Sequence, residues 1–221
     1  MQNGNASKVE QCVALLHGLC RRSHSMEPLR SVFEESGYVV RNIGYPSTRY
    51  CLSELAEQTR PEIDALSNRF SQVHFVTHSM GGILLRQMQA TRRIRNLGRC
   101  VMLAPPNRGS QVVDRLRHWA PFRWVNGPAG GELGTGADSV PRGLGPVDFE
   151  VGVIAGNRSI NLILSQLLPK PNDGKVAVSH TQVEGQREFR VFPATHPFIM
   201  KNQRVQANAL AFIQTGAFLA S

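Results

Sequence analysis

Short apolar runs alternate with stretches of helical periodicity from Gln11 onward. Gln11–Leu16 (QCVALL) is a continuous apolar run of strand length, the pattern of a strand covered on both faces. Pro28–Ser36 then carries Leu29, Val32 and Phe33 at helical spacing and is stopped by Gly37. Tyr38–Ile43 predicts a second strand. Ser53 is placed to cap a helix to about Arg69, with Leu55, Ile63 and Leu66 inward and Pro61 positioned to kink it. Gln72–Thr77 reads as a third strand, a helix follows from about Gly81 to Thr91, and Arg99–Ala104 is a fourth strand. This alternation predicts a parallel sheet with helices on both faces. Beyond Pro105 the pattern loosens. Gln111–Trp119 has helical spacing, but Pro121–Pro146 is rich in Gly and Pro with few apolar residues. Order returns with a strand at Glu150–Ala155, a helical segment at Ser159–Leu168, a strand at Phe189–Phe192 and a closing helix at Arg204–Leu219. The expectation is about six strands in a single domain spanning 1–221, with one excursion at about 120–149 and no internal repeat.

Composition narrows the class. Hydrophobic residues make up 41% of the 221 and charged residues 19%, which suits an ordinary globular chain. No apolar stretch reaches the ~18–20 residues a membrane span needs. The opening Met1-Gln2-Asn3-Gly4 lacks the basic, apolar and small-residue succession of a secretory signal, which leaves a cytoplasmic reading. Four scattered cysteines (Cys12, Cys20, Cys51, Cys100) form no CxxC pair and read as free thiols, ahead of a disulfide or metal site. The net charge of +9 comes mostly from arginine, 21 of the 25 basic residues. Its tightest cluster, Arg92-Arg93-Ile94-Arg95 with Arg99 behind, has no interleaved aromatics and no nucleic-acid motif. It reads as solvated cations at a helix end, although the excess also suits anionic substrates or a membrane surface. The GGELGTG stretch (Gly130–Gly136) lacks the preceding strand and following Gly-Lys-Ser/Thr of a phosphate loop and reads as a surface loop.

The strongest chemical signal is Thr77-His78-Ser79-Met80-Gly81-Gly82 between a strand and a helix. A sharp strand-to-helix turn lifts a serine hydroxyl clear of the sheet, and the crowded turn demands small residues two positions either side. Gly81 meets that demand; Thr77 stands where Gly is usual. Leu16-His17-Gly18-Leu19 follows the first strand, and a glycine there lets the backbone turn its amides inward. The N–H groups of Leu19 and Met80 then form a candidate pair of donors for an oxyanion. A nucleophilic serine also needs a base and an orienting carboxylate. His196 in ATHPF and Asp173 in PNDGKV give the order Ser79, Asp173, His196. His180, His118, Asp148 and Glu184 rank below them. His78 reads as packing or polar support, and Arg22 and His24 either line the pocket mouth or face water.

These residues resemble the α/β-hydrolase superfamily, within it the small bacterial lipase-like serine hydrolases. The matching pieces are LLHGL, SMEPLRSVFEESGYVV with NIGYPS, THSMGG, LAPPNRGS, PNDGKVAV and THPFIM, spread over most of the chain and thinning between Ala120 and Gly145. The resemblance implies Ser79 as nucleophile, His196 as base, Asp173 as its carboxylate, and Leu19 and Met80 as oxyanion-hole amides. His17, Gly18, His78 and Gly81 are supporting motif residues. It implies a compact α/β-hydrolase fold with a mainly parallel sheet, without the first two antiparallel strands of larger members and without a large cap. The implied activity is hydrolysis of a small-molecule ester or lipid, with no metal, organic cofactor or nucleic-acid partner. A thioesterase or acyltransferase using the same residues, and a silent binding module on this fold, are the alternatives.

Overall fold

A computed structural model describes residues 10–220. Six strands form one sheet: β1 (Gln11–Leu16), β2 (Val39–Ile43), β3 (Gln72–His78), β4 (Leu97–Leu103), β5 (Val151–Gly156) and β6 (Glu188–Phe192). Their order is β2-β1-β3-β4-β5-β6, and every neighbouring pair is parallel. The apolar runs of β1, β3, β4 and β5 lie inside this sheet. Both of its faces are covered, so these runs need no polar alternation. One face packs Cys12, Leu16, Phe75 and Met102 against α2 (Leu52–Arg69) and α3 (Met80–Thr91). The other packs Val13, Leu15, Val76 and Val101 against α1 (Glu27–Glu35) and α9 (Gln203–Thr215).

The predicted α2 is continuous through Pro61. The closing helix stops at Thr215, where Gly216 takes the left-handed conformation (φ 80°) that ends helices. The larger difference is the excursion. Between β4 and β5 the chain forms α4 (Gln111–Leu116), α5 (Ala120–Gly131) and the short turn α6 (Val140–Gly143). The two halves of α5 are joined across Gly127 (φ 64°). A Cβ at Gly127 would lie 1.7 Å from the Thr48 carbonyl oxygen, so this close crossing over the β2–α2 loop requires glycine.

The GGELGTG stretch is therefore not an open surface loop. Leu133 and Gly134 are buried, the Glu132 carboxylate accepts the Leu52 N–H at 2.8 Å, and Asp114 accepts both the N–H and the hydroxyl of Thr135 at 2.9 and 2.6 Å. Its single apolar side chain, Leu133, packs against the core, a contact that periodicity does not register. Short α7 (Leu162–Gln166) and α8 (Val178–Thr181) follow in the β5–β6 connection. Among the described residues, no helix is long and apolar enough to cross a membrane.

Candidate active site

The order in which strands are added reverses between β1 and β3, and the loops at their carboxyl ends flank one crevice, where open α/β sheets hold ligands. β3 ends at His78 and α3 begins at Met80, so Ser79 alone makes the turn, at φ 52° and ψ −122°. Its N–H donates to the Leu103 carbonyl at 2.8 Å, tying the turn to β4. Among the described residues, the other non-glycine residues with positive φ are Cys20 and Ala104, just beyond β1 and β4. Backbone strain is thus gathered on one sheet edge, as it is at functional sites.

Two glycines let the layers meet here. A Cβ on Gly81 would sit 2.5 Å from the Leu16 carbonyl oxygen and 2.8 Å from that of His17, so only glycine lets the α3 N-terminus close on the end of β1. A Cβ on Gly18 would sit 2.8 Å from His78 Nδ1 and 3.1 Å from Ser79 Cβ. Thr77 is wholly buried, and space for its hydroxyl comes from Gly82, where a Cβ would lie 3.2 Å away.

The structure brings Ser79, His196 and Asp173 together. His196 Nε2 lies 2.9 Å from Ser79 Oγ, and its Nδ1 lies 2.7 Å from Asp173 Oδ2. All three side chains are buried. The second carboxylate oxygen accepts the N–H groups of Lys175 and Val176 at 2.9 and 2.8 Å, so the carboxylate is held as an acceptor on both sides. An acceptor at Nδ1 puts the imidazole proton there and leaves Nε2 bare towards the serine hydroxyl. The His196 N–H also donates to the Asp173 carbonyl at 3.1 Å, so the two residues are registered through backbone as well as side chain.

The supporting histidines have separate tasks. His78 lies beside the His196 ring and donates Nε2–H to the His196 carbonyl at 3.0 Å. Burial pushes its pKa well down, with His196 and Arg21 adding to the effect. His17 donates Nδ1–H to the Gly18 carbonyl at 2.9 Å, accepts the Tyr45 N–H at Nε2, and stacks on the Tyr45 ring at 4.0 Å. The Tyr45 hydroxyl donates to the His17 carbonyl. Burial lowers the His17 pKa as well. Tyr45 thus steadies the loop that carries Leu19, a part the sequence reading missed because 28 residues separate it from His17. Its place inside the NIGYPS motif (Asn42–Ser47) is the only signal the sequence gives for it.

The lower-ranked candidates lie elsewhere. His180 bonds Gln111 and Gly109, Asp148 pairs with Arg93, and His118 and Glu184 are exposed. Arg22 and His24 are exposed on a neighbouring groove. It is Arg21, not singled out from the sequence, that reaches the serine pocket.

That pocket encloses about 310 Å³. Val112, Val113, Leu116, Phe122 and Leu133 of the excursion form much of its wall, and Leu19 stands beside Ser79 and His196. The excursion is secured to α3 by Arg86. Its buried guanidinium donates to the backbone and side-chain oxygens of Asn107 and to the carbonyls of Pro141 and Gly145, at 2.6–3.2 Å. Burial lowers the Arg86 pKa to about 10, which leaves it charged at neutral pH. No cluster of three metal-ligating side chains occurs among the described residues.

No protein-family profile matches the chain, and no curated protein matches it in sequence. Solved structures do match. The mature form of Bacillus licheniformis lipase BlEst2 superposes with a TM-score of 0.70 at 17% identity, covering 99% of this chain and 96% of that one. A structure reported for the metagenome-derived lipolytic enzymes LipS and LipT gives 0.66 at 18%, covering 93% and 94%. An extracellular α/β-hydrolase from a Paenibacillus species gives 0.61 at 12%, covering 95% and 100%. At such identities the likeness is one of backbone architecture, and with the parallel six-stranded sheet it shows that this chain has the α/β-hydrolase fold.

Proposed function

We propose that the chain is a serine hydrolase that cleaves carboxylic esters through an acyl-enzyme on Ser79. The carrying observation is the hydrogen-bonded series Asp173–His196–Ser79, at 2.7 and 2.9 Å, opening onto a largely apolar pocket. His196 Nε2 takes the Ser79 proton as Oγ attacks the ester carbonyl, and Asp173 steadies the imidazolium that forms. The negative charge on the carbonyl oxygen falls to the amides of Leu19 and Met80. Support for this pair comes from the approach of Gly81 to the end of β1 and from Met80 as the first residue of α3, where helical N–H groups lack intrahelical partners. His196 then protonates the departing alcohol. Water, activated by the same nitrogen, releases the acid and restores Ser79. Every step is carried by protein groups, and the substrate is a small-molecule ester or lipid.

A fluorophosphonate probe followed by peptide mass mapping tests the reading. Labelling confined to Ser79, and lost in His196→Ala, is the expected result. A well-folded protein that takes up no label would overturn it.

A further inference from the structure

We propose that the esters cleaved here carry an anionic group, a phosphate or carboxylate, on the alcohol side of the scissile bond, where Arg21 and Lys175 receive it. The inference rests on the acyl-transfer reading of Ser79 and names its substrate class.

Arg21 and Lys175 both line the pocket that holds Ser79 and His196. Neither Arg21 nor Lys175 lies within 4.0 Å of a carboxylate among the described residues, which is true of most of the chain's arginines, so what sets this pair apart is the pocket they line. The nearest carboxylate to Lys175 in sequence, Asp173, is already occupied by His196 and two backbone amides. Two cations without a protein counter-ion thus stand in a pocket whose other walls are mainly apolar.

Their placement decides which part of a substrate they meet. Arg21 donates from one terminal nitrogen to the Pro197 carbonyl at 3.1 Å, one residue beyond His196, with donors of its planar fork left over. Lys175 lies two residues beyond Asp173. Arg21, on the β1 loop that carries Leu19, is thereby tied to the loop of the base, and Lys175 belongs to the loop of its carboxylate. The charges of both also bear on the buried His78, which bonds the His196 carbonyl, so they act within the reach of the site. To be protonated, the leaving oxygen must come within hydrogen-bond reach of His196 Nε2. The alcohol part consequently lies on the side of the two cations. The acyl chain is left to the apolar wall of Val112, Leu116, Phe122 and Leu133.

The test compares kcat/KM for 4-carboxyphenyl butanoate and its neutral isostere 4-carbamoylphenyl butanoate. The expected anionic-to-neutral ratio is about tenfold or more at low salt, falling towards one in about 0.5 M NaCl. It should fall to about one in R21Q/K175Q and persist in R21K/K175R; because the ratio is taken within each variant, a general loss of activity does not mimic the effect. A wild-type ratio of one or less, or a ratio unmoved by salt and by R21Q/K175Q, overturns the proposal. If Ser79 takes the fluorophosphonate label while the ratio is one, ester hydrolysis stands and only the anionic preference falls. If neither ester is cleaved and Ser79 stays unlabelled, both fall. Two further substrates separate the sources of the anion within a supported proposal: turnover of a short-chain acylglycerol phosphate in monomeric solution assigns a soluble ester, and turnover only of its long-chain counterpart in vesicles assigns a lipid surface.

Discussion

Ser79 occupies a backbone conformation that L-residues with a side chain avoid, and the turn to α3 holds it there. Replacing it separates chemistry from strain. Ser79→Ala should lose at least about 10³-fold in esterase rate while remaining folded. Ser79→Gly should be equally inactive yet more stable than Ser79→Ala by about 1 kcal/mol, measured by urea unfolding, because glycine accepts a positive φ without strain. A stability equal to that of the alanine variant would mean that the turn is not strained. At this scale the sequence was legible wherever a residue's place is set by its immediate neighbours. Ser79 follows from the small residues around it, and Asp173 and His196 follow from turn-forming neighbours near strands. Tyr45 and Arg21 were not legible, since each acts across a fold-level contact to a loop far away in sequence: Tyr45 on His17, Arg21 on Pro197.

Among elements, the junction of β1, β3 and α3 places the reacting groups, and Gly81 sets its closest approach. Gly81→Ala should push the α3 N-terminus away from the Leu16 and His17 carbonyls and displace both Ser79 and the Met80 amide. A loss above about 100-fold in kcat is expected even in protein that keeps its circular dichroism spectrum, since displacements near 1 Å have that effect. Unchanged kinetics would show that the junction has slack. The strands of this junction were easy to read because parallel strands covered on both faces become mainly apolar runs, unbroken over CVALL in β1 and interrupted by His74 in β3. The excursion was hard to read for the opposite reason. Helix α5 is broken at Gly127, and the segment is held by single contacts such as Glu132 to Leu52 and Thr135 to Asp114, which leave no period in the sequence.

Across the whole molecule, three histidines are buried with depressed pKa values: His17, His74 and His78. Burial is the first cause for each, and for His74, lowered to about 4, the Arg99 charge is the next. Below about pH 6.5 the unfolded chain binds protons that these folded histidines refuse, so stability is full above that pH and declines as pH falls beneath it. Each contributes a slope of about 1.4 kcal/mol per pH unit, or up to about 4 for the three together. Urea midpoints should therefore be flat near neutrality and drop between pH 6.5 and 5, with a shallower drop in His74→Gln. A midpoint constant over that range would mean that these imidazoles protonate in the folded protein. The same whole-molecule view gives a direction to the pocket wall. Arg86 rivets its Pro141–Gly145 end to the helix behind Ser79, and Leu133 and Thr135 are tied to Ser110 and Asp114, whereas the segment from Trp119 to Val125 leaves Trp119, Trp124 and Val125 largely in solvent. The wall is thus riveted at its far end by buried polar contacts, while its solvent-facing edge from Trp119 to Val125 is held by the packing of Phe122 and by the Val125 carbonyl, which accepts from Cys20 Sγ.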